Sequence, residues 1–216
     1  MSSDFVWRME DVLDQYALPA DPRRPLVCFD ERPCVLHAEV REPLPMAPGR
    51  PQRVEYEYER RGTCNELGHY DPHRGWRRMW VTERRTKAEF TAVMQALADE
   101  IYPEADVIRV VLDNLNTHTP ASFYALLAPA EAWRLTQRFE FHYTPKHGSW
   151  LNQIEIEFSA LSRQCLGGRM PDLDTLAAAV AAWENQRNAE QARIRWMFDV
   201  AQARTKLARL YGSNSV

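Results

Sequence analysis

The sequence predicts an α/β fold built on one mixed sheet, part antiparallel and part parallel, with helices packed against it. The first half of the chain contains consecutive strand-like segments separated by turn residues, whereas the second half alternates strand-like and helical segments. In addition, 45% of the 216 residues are hydrophobic, which is enough for a substantial core and indicates a globular chain, not a disordered one.

The N-terminal half is predicted to contain a short helix followed by three antiparallel strands. Apolar residues at helical spacing place the helix over residues 4–17, and the proline-rich "LPADPRRP" ends it. "LVCFDERPCVLHAEV", residues 26–40, predicts a strand with a bulge or break at Pro33. Residues 54–83 predict an antiparallel meander that turns between Asp71 and Gly75.

The C-terminal half is predicted to add parallel strands and several helices. Thr86 is expected to cap a helix whose apolar stripe runs to about Tyr102. The nearly continuous apolar run "VIRVVL", residues 107–112, is typical of a strand covered on both faces. The remaining predicted elements are a helix over 120–135, the strand "RFEFHY" over 138–143, a helix over 149–165, and helices over 172–187 and 195–210.

Charge and cysteine content restrict the class of protein. The net charge of −3 argues weakly against a nucleic-acid partner, but the basic stretch 73–87, "HRGWRRMWVTERRTK", predicts either a solvated face or a DNA contact. The four cysteines form no C-x-x-C pair, so we expect reduced thiols in a cytoplasmic protein. Neither secretion nor membrane insertion is expected, because no apolar run approaches the roughly 18 residues of a membrane span and no signal-peptide pattern is present.

Three acidic positions depart from the apolar pattern around them. Asp30 interrupts the first strand and Asp113 ends the fourth, where a salt bridge and a turn, respectively, are the simpler explanations. On the helix from Ser149, Glu155 and Glu157 lie on opposite flanks of the apolar stripe, so helical periodicity does not choose between them. Burying such carboxylates together is costly unless a cation neutralises them, and carboxylate-bound Mg²⁺ suits phosphodiester hydrolysis or transfer.

Five segments, taken in order, resemble the blocks of a DDE transposase catalytic domain of the bacterial insertion-sequence branch of the mariner-like (Tc/mariner) superfamily. They are "LVCFDE", "RRGT", "GWRRMWVTERRTKAEF", "VLDNLNTH" and "FHYTPKHGSWLNQIEIEFS", and the resemblance runs from about residue 10 to about residue 210. It implies a ribonuclease-H-like mixed five-stranded sheet over residues 25–170. A lead-in helix and linker (1–24) would precede this domain, and a C-terminal helical extension (171–216) would follow it.

The resemblance also implies the chemistry. Asp30, Asp113 and Glu155 would be the catalytic, metal-binding triad, with Glu155 matching the Glu of the family's Asn-x-Ile-Glu block and Glu157 as the fallback. Two Mg²⁺ or Mn²⁺ ions are the implied cofactors. Water would cleave the transposon-end DNA, and the freed 3′-hydroxyl would then attack target DNA in the same site.

Polar and basic residues near these acids are predicted to assist. Asn116 and His118 follow Asp113 closely and are expected to orient it or to touch the scissile phosphate; a surface or capping role is the alternative for His118. Ordinary solvent contacts are the alternative for the predicted DNA-backbone contacts, which are Arg77, Arg78, Arg84, Arg85, Lys87, Lys146 and His147.

Two departures from the family bear on the expected partners. Family members carry paired helix-turn-helix modules upstream, whereas this sequence begins with only the lead-in helix, so a separate helix-turn-helix protein is an expected partner beside double-stranded DNA and a second copy. The other departure is the interval of 41 residues between Asp113 and Glu155, which is longer than in eukaryotic members. We expect a bacterial protein associated with the nucleoid when active. Two alternatives stay open: a catalytically silent fragment that dimerises or competes with a full transposase, and a ribonuclease-H-like nuclease acting on RNA–DNA hybrids.

Overall fold

Five strands form a single mixed sheet in the computed structural model, which describes residues 3–40, 46–49 and 57–211. They are β1 (Leu26–Glu39), β2 (Tyr58–Asp71), β3 (Trp76–Thr82), β4 (Ile108–Leu112) and β5 (Phe139–Tyr143). The strand order is β3-β2-β1-β4-β5, in which β2 is antiparallel to both β1 and β3, β4 is parallel to β1, and β5 is parallel to β4. The predicted fold class is confirmed.

Helices flank the sheet and connect its strands. They are α1 (Ser3–Ala17), α2 (Lys87–Ala96), α3 (Ala121–Leu126), α4 (Pro129–Thr136), α5 (Ile154–Gln164), α6 (Leu173–Ala189) and α7 (Val200–Lys206). As predicted, Thr86 caps α2, through a capping box with Glu89, and α2 continues into a π-helical turn at Leu97–Ile101. Within the ranges that the structure describes, no helix has both the length and the hydropathy of a membrane span.

The two faces of the sheet carry separate hydrophobic cores. Alternation along β1 directs Leu26 and Cys28 to the core shared with α1, α5 and α6, and directs Val27 and Phe29 to the core shared with α2, α3 and α4. The same alternation places the next two residues, Asp30 and Glu31, on opposite faces of the sheet. Consecutive acids of one strand therefore meet different layers of the domain.

The first strand differs from the prediction at Pro33. β1 runs through Pro33, which pairs with Asn65 of β2, and the irregular register lies further on, between Val35 and His37. β4 pairs only with the first residues of β1, so at Pro33 the strand has a neighbour on one side, as in the edge strands where proline is tolerated. The predicted meander is confirmed for β2 and β3, and its residues 54–56 lie outside the described residues.

The helix predicted from residue 149 begins later, at Ile154. The chain first makes one 3-10 turn and then extends at Asn152. Asn152 Nδ2 donates a hydrogen bond to the carbonyl of Phe29 at 2.8 Å, and the carbonyl just before Asn152 accepts one from the Tyr16 hydroxyl at 2.8 Å. These bonds tie the segment before α5 to β1 and α1, and the bond from Tyr16 satisfies a carbonyl that a longer helix would have used internally.

The edge strand β3 is covered by α6. Glu184 Oε2 accepts a hydrogen bond from the Met79 N–H at 2.7 Å. Asn188 accepts one from the Arg77 N–H at 2.9 Å and donates one to the Arg77 carbonyl at 2.8 Å. An edge strand otherwise exposes such groups to other chains. The residues expected as a C-terminal extension therefore pack directly on the sheet.

The last predicted helix, over 195–210, is shorter than expected. Residues 192–199 form neither helix nor strand. Ile194, Trp196 and Phe198 pack against the core, and the residues between them are more exposed. α7 begins only at Val200. Apolar side chains that alternate with a period of two fit an extended segment better than a helix.

Candidate active site

The sheet register brings the first two predicted acids side by side. Cys28 of β1 pairs with Val111 of the parallel strand β4, and Asp30 and Asp113 each lie two residues beyond this pair. Neighbouring parallel strands advance together, so both carboxylates reach the same edge of the sheet. Glu155, in the first turn of α5, is close enough for its charge to act on Asp30.

Asp30 is buried in an environment that disfavours its ionised form. The residue is 7% exposed, and burial together with the charges of Asp113 and Glu155 raises the pKa of its carboxyl to about 7. Its Oδ1 accepts a hydrogen bond from the Glu31 N–H at 2.8 Å, and its Oδ2 lies 3.4 Å from Asn152 Nδ2. The fold therefore gathers like charges at this edge.

Glu155 shares this electrostatic environment. Burial raises the pKa of its carboxyl, and the charge of Asp113 adds to the effect, whereas Arg32 opposes it. Arg32 is already engaged, because it donates to Glu66 at 2.5 Å and to the carbonyl of Phe158 at 2.9 Å. Because Arg32 already donates to these acceptors, it compensates the charge of Glu155 only in part.

Asp113 is held by a buried histidine. His118 Nδ1 lies 2.5 Å from Asp113 Oδ1, and His118 Nε2 lies 3.6 Å from Glu31 Oε2. The imidazole packs against the rings of Phe29 and Phe90, with centroids 5.2 and 5.0 Å away. Burial alone lowers the pKa of His118, but the two carboxylates outweigh it and raise the pKa to about 9, so the ring carries a positive charge at neutral pH.

The donor set of the three acids suits a divalent metal ion, although their side chains are not preassembled around one. Among the described residues, no group of three His, Cys, Asp or Glu side chains already has the geometry to hold a metal. Asp113 turns one oxygen to His118, and Asp30 turns one to the backbone of Glu31. Several carboxylate oxygens with poorly compensated charge are nevertheless the ligands that Mg²⁺ and Mn²⁺ prefer.

Glu157, the alternative third acid, lies in a different environment. Its carboxylate is fully buried, 3.0 Å from Arg77 Nε and 3.0 Å from the Arg187 guanidinium. Asn188 Oδ1 also accepts a hydrogen bond from Arg77 at 3.2 Å. Two arginines compensate the charge of Glu157. The charge of Glu155 is instead disfavoured by the charge of Asp113, and Arg32 compensates it only in part. Glu155 is therefore the better candidate for the third acid.

The structure corrects the predicted DNA contact at Arg77. Side chains alternate along β3, so Arg77 faces inward and is 0% exposed, whereas Arg78 stays about half exposed and reaches Glu184 at 3.4 Å. A guanidinium that is fully buried and already paired with Glu157 cannot meet a DNA phosphate. Arg77 and Arg78, adjacent in the basic stretch 73–87, therefore have different roles: Arg77 forms a buried ion pair, and Arg78 stays at the surface.

The other basic residues of that stretch lie on the surface. Arg84, Arg85 and Lys87 are exposed around the start of α2. Arg85 reaches back to the Glu31 carboxylate, with 3.5 Å between NH1 and Oε1. These exposed basic residues therefore lie beside the layer of the domain that contains His118.

A cleft of about 500 Å³ opens beside Asp113. Lys146 and His147 are exposed and line it, and so does Arg8 of α1. Asn116, which was predicted to assist Asp113, is exposed on the loop after β4. The cleft thus combines one acid of the site with basic side chains from two separate elements.

Three residues at the site had no role in the sequence-based prediction. Asn152 contacts Asp30, Glu31 contacts His118, and Arg8 lines the cleft. The Asn-x-Ile-Glu block contained a signal for Asn152. For Glu31 and Arg8 the sequence contains no comparable signal, because their contacts join segments far apart in the chain.

The family model of the DDE superfamily endonucleases matches residues 25–177, and the chain belongs to this family. A search of curated proteins finds no match.

Solved structures of the Mos1 mariner transposase are similar in fold. The Mos1 paired-end complex with Mn is 14% identical, with a TM-score of 0.57, covering 88% of this chain and 58% of that one. The paired-end complex with the left transposon end is 14% identical, with a TM-score of 0.58 and coverages of 88% and 59%. The Mos1 strand transfer complex is 15% identical, with a TM-score of 0.55 and coverages of 96% and 57%. The chain spans less than two thirds of these proteins, and the ribonuclease-H-like fold is confirmed.

Proposed function

We propose that this chain provides the catalytic domain of a transposase of the bacterial insertion-sequence branch of the mariner-like superfamily. Residues 25–170 would form the catalytic domain, between a lead-in segment (1–24) and a helical extension (171–216). The reaction would be divalent-metal-dependent cleavage at transposon ends followed by strand transfer. Membership of the DDE superfamily endonucleases supports the proposal, as does the fold shared with Mos1 paired-end and strand transfer complexes.

The juxtaposition of Asp30 and Asp113, with Glu155 close enough to raise the pKa of Asp30, carries this proposal. Glu157 shows how this chain compensates a buried carboxylate with a structural role, namely with two arginines at 3.0 Å. At Asp30, burial and the neighbouring acids instead raise the pKa of the carboxyl. A cluster of like charges that costs folding free energy is typical of a functional site.

The residues of the candidate site would have different tasks in the reaction. Asp30, Asp113 and Glu155 would bind the cations, and His118 would hold Asp113 in place through the 2.5 Å contact. Two bound Mg²⁺ or Mn²⁺ ions would supply activation of the attacking oxygen and stabilisation of the leaving oxygen. Asn116, on the same loop as His118, would contribute to substrate contact.

Double-stranded DNA, as transposon end and as target, is the proposed substrate. Lys146 and His147 would bind the backbone in the cleft beside Asp113. Further backbone contacts would come from exposed side chains on and after β3, namely Arg78, Arg84, Arg85 and Lys87. A second copy of the chain, a separate helix-turn-helix protein and a cytoplasmic, nucleoid-associated location complete the proposal.

A metal titration with nicked or branched DNA tests this function. Asp113→Asn should abolish Mn²⁺-dependent cleavage while circular dichroism shows an intact fold. Asp106→Asn is the matched control, because Asp106 is an exposed aspartate just before β4 that pairs with Arg23 at 2.5 Å. It should cleave like the wild type.

Other outcomes of the titration would contradict the proposal. Cleavage by Asp113→Asn at the wild-type rate would remove Asp113 from the mechanism. A wild-type chain without divalent-dependent turnover would be the silent dimerisation or competitor module. Preference for an RNA–DNA hybrid over duplex DNA would identify the ribonuclease-H-like nuclease.

A further inference from the structure

Glu31 adjoins a proposed metal ligand in sequence but faces the opposite side of the sheet. Asp30 points to the layer of α5, whereas Glu31 points to the layer of α2. The Glu31 side chain is only 5% exposed, and its Oε2 lies 3.6 Å from His118 Nε2. A carboxylate removed this far from water requires a partner, and His118 is the buried one of its two basic neighbours.

The His118 ring connects this carboxylate to Asp113. The other ring nitrogen, Nδ1, lies 2.5 Å from Asp113 Oδ1, so the imidazole stands between two acids. Phe29 and Phe90 pack against the ring, and the Tyr143 hydroxyl donates to the His118 carbonyl at 3.0 Å. The side chain and the backbone of His118 are therefore both restrained.

Arg85 is the other basic neighbour of Glu31 and contacts it from the surface. Its NH1 lies 3.5 Å from Glu31 Oε1, and its side chain is about half exposed. Water screens such a pair, and pairs of this kind contribute little to stability. His118 is fully buried, so its interaction with Glu31 is screened far less.

We infer that Glu31 is a positioning residue of the proposed metal site, because it holds the His118 ring that engages Oδ1 of Asp113 and leaves Oδ2 for a divalent cation. The inference rests on the proposed function. The Asp113 side chain is partly exposed on a loop, so without a fixed ring its carboxylate would sample other rotamers. Groups that orient metal ligands typically change metal affinity or activity by about 10–100-fold.

Two variants of Glu31 separate positioning from a simple charge effect. Glu31→Gln keeps the shape and removes the charge, whereas Glu31→Asp keeps the charge and shortens the reach. Both should weaken Mn²⁺ binding by about tenfold, measured without DNA from the electron paramagnetic resonance signal of free Mn²⁺. Both should also raise the Mn²⁺ concentration that half-saturates cleavage, with the KM for DNA unchanged. Wild-type affinity in Glu31→Asp would overturn the inference.

A double-mutant cycle tests whether Glu31 acts through His118. Once His118→Leu has removed the ring, adding Glu31→Gln should weaken Mn²⁺ binding no further. Additive effects of the two substitutions would overturn the inference. Circular dichroism and urea unfolding verify that each variant is folded.

A matched control uses another buried carboxylate. Glu184→Gln lies on α6, where Glu184 accepts from the Met79 N–H at 2.7 Å, and it should bind Mn²⁺ like the wild type. Failure of the inference and failure of the proposed function remain distinguishable. If the wild type shows no Mn²⁺ binding that Asp113→Asn removes, both the proposed function and the inference are wrong. If the wild type shows such binding and the Glu31 variants bind Mn²⁺ equally well, only the inference is wrong.

Discussion

Asp30 and Asp113 lie side by side because Cys28 and Val111, two residues before them, are register partners in adjacent parallel strands. The apolar part of each strand fixes this register by filling the two cores. A slip by one residue would turn the acid to the other face of the sheet. Apolar packing therefore assembles a site whose own carboxylates repel each other.

Asp30→Asn should stabilise the fold while abolishing metal-dependent cleavage. Burial and neighbouring acids raise the folded-state pKa of Asp30 to about 7, above its ordinary value of 3.8. The free-energy cost of burying the ionised carboxyl of Asp30 is therefore fully present above about pH 7 and disappears as the pH falls towards 4. With a chelator present at about pH 8, urea unfolding should show a variant more stable by on the order of 2 kcal/mol. Equal or lower stability at that pH would contradict the account of Asp30.

Gly68→Ala should displace α5 and with it Glu155. Gly68 is the β2 partner of Asp30, and a Cβ there would lie 2.5 Å from Met79 Sδ and 3.1 Å from Phe158 Cε1. Urea unfolding should show a loss of about 1–2 kcal/mol, and cleavage should fall as well. Gly167→Ala is the control, since a Cβ at Gly167 meets nothing within 4 Å. If Gly68→Ala and Gly167→Ala behave alike, α5 does not depend on this close approach.

Arg77→Met and Arg78→Met should have opposite consequences. Arg77 is buried against Glu157, so its loss should lower the free energy of unfolding by about 3 kcal/mol, even though Arg187 remains beside Glu157. Arg78 is about half exposed, so its loss should cost less than about 1 kcal/mol. DNA affinity, measured by fluorescence anisotropy, should fall only for Arg78→Met. A folded Arg77→Met variant with weakened DNA binding would restore Arg77 as a DNA contact.

His69 should make the fold sensitive to mild acid. Its ring lies between Trp76 and Trp80, and burial, with help from nearby arginines, lowers its pKa to about 3. The unfolded chain binds this proton below about pH 6.5 and the folded chain does not, so stability falls as the pH drops. Between about pH 7 and pH 5 the wild type should lose about 2 kcal/mol more than His69→Phe in urea unfolding. Parallel losses in the two proteins would show that His69 is accessible to protons.

The periodicity of the sequence predicts most of the fold, and its failures have a common cause. Strands and helices with a clear apolar pattern lie close to their predicted positions, from α1 to β5, except that the helix expected over 120–135 is divided into α3 and α4. The prediction fails at Asn152 and around Trp196, where side-chain bonds to distant segments, or burial on alternate residues, replace helical hydrogen bonds. Such contacts leave little trace in local sequence.

The candidate site, like the fold, is predicted only in part by the sequence. Asp30 and Asp113 are recognisable because each interrupts an apolar strand, but periodicity left Glu155 and Glu157 equivalent. Only tertiary packing separates them, because it puts two arginines beside Glu157 and other acids beside Glu155. Burial likewise separates the residues of the basic stretch 73–87. Arg77 forms an internal ion pair, whereas Arg78, Arg84, Arg85 and Lys87 are exposed.

The sequence by itself determined the order of strands and helices, the strand-end acids and the family resemblance, because these depend on the type and spacing of neighbouring residues. Only the tertiary structure decided which of the two acids of α5 is paired with two arginines, and which basic residue is buried. It also decided that His118 stands between Asp113 and Glu31. The energy of a charge depends on burial and on partners from remote segments, and these exist only once the chain has folded.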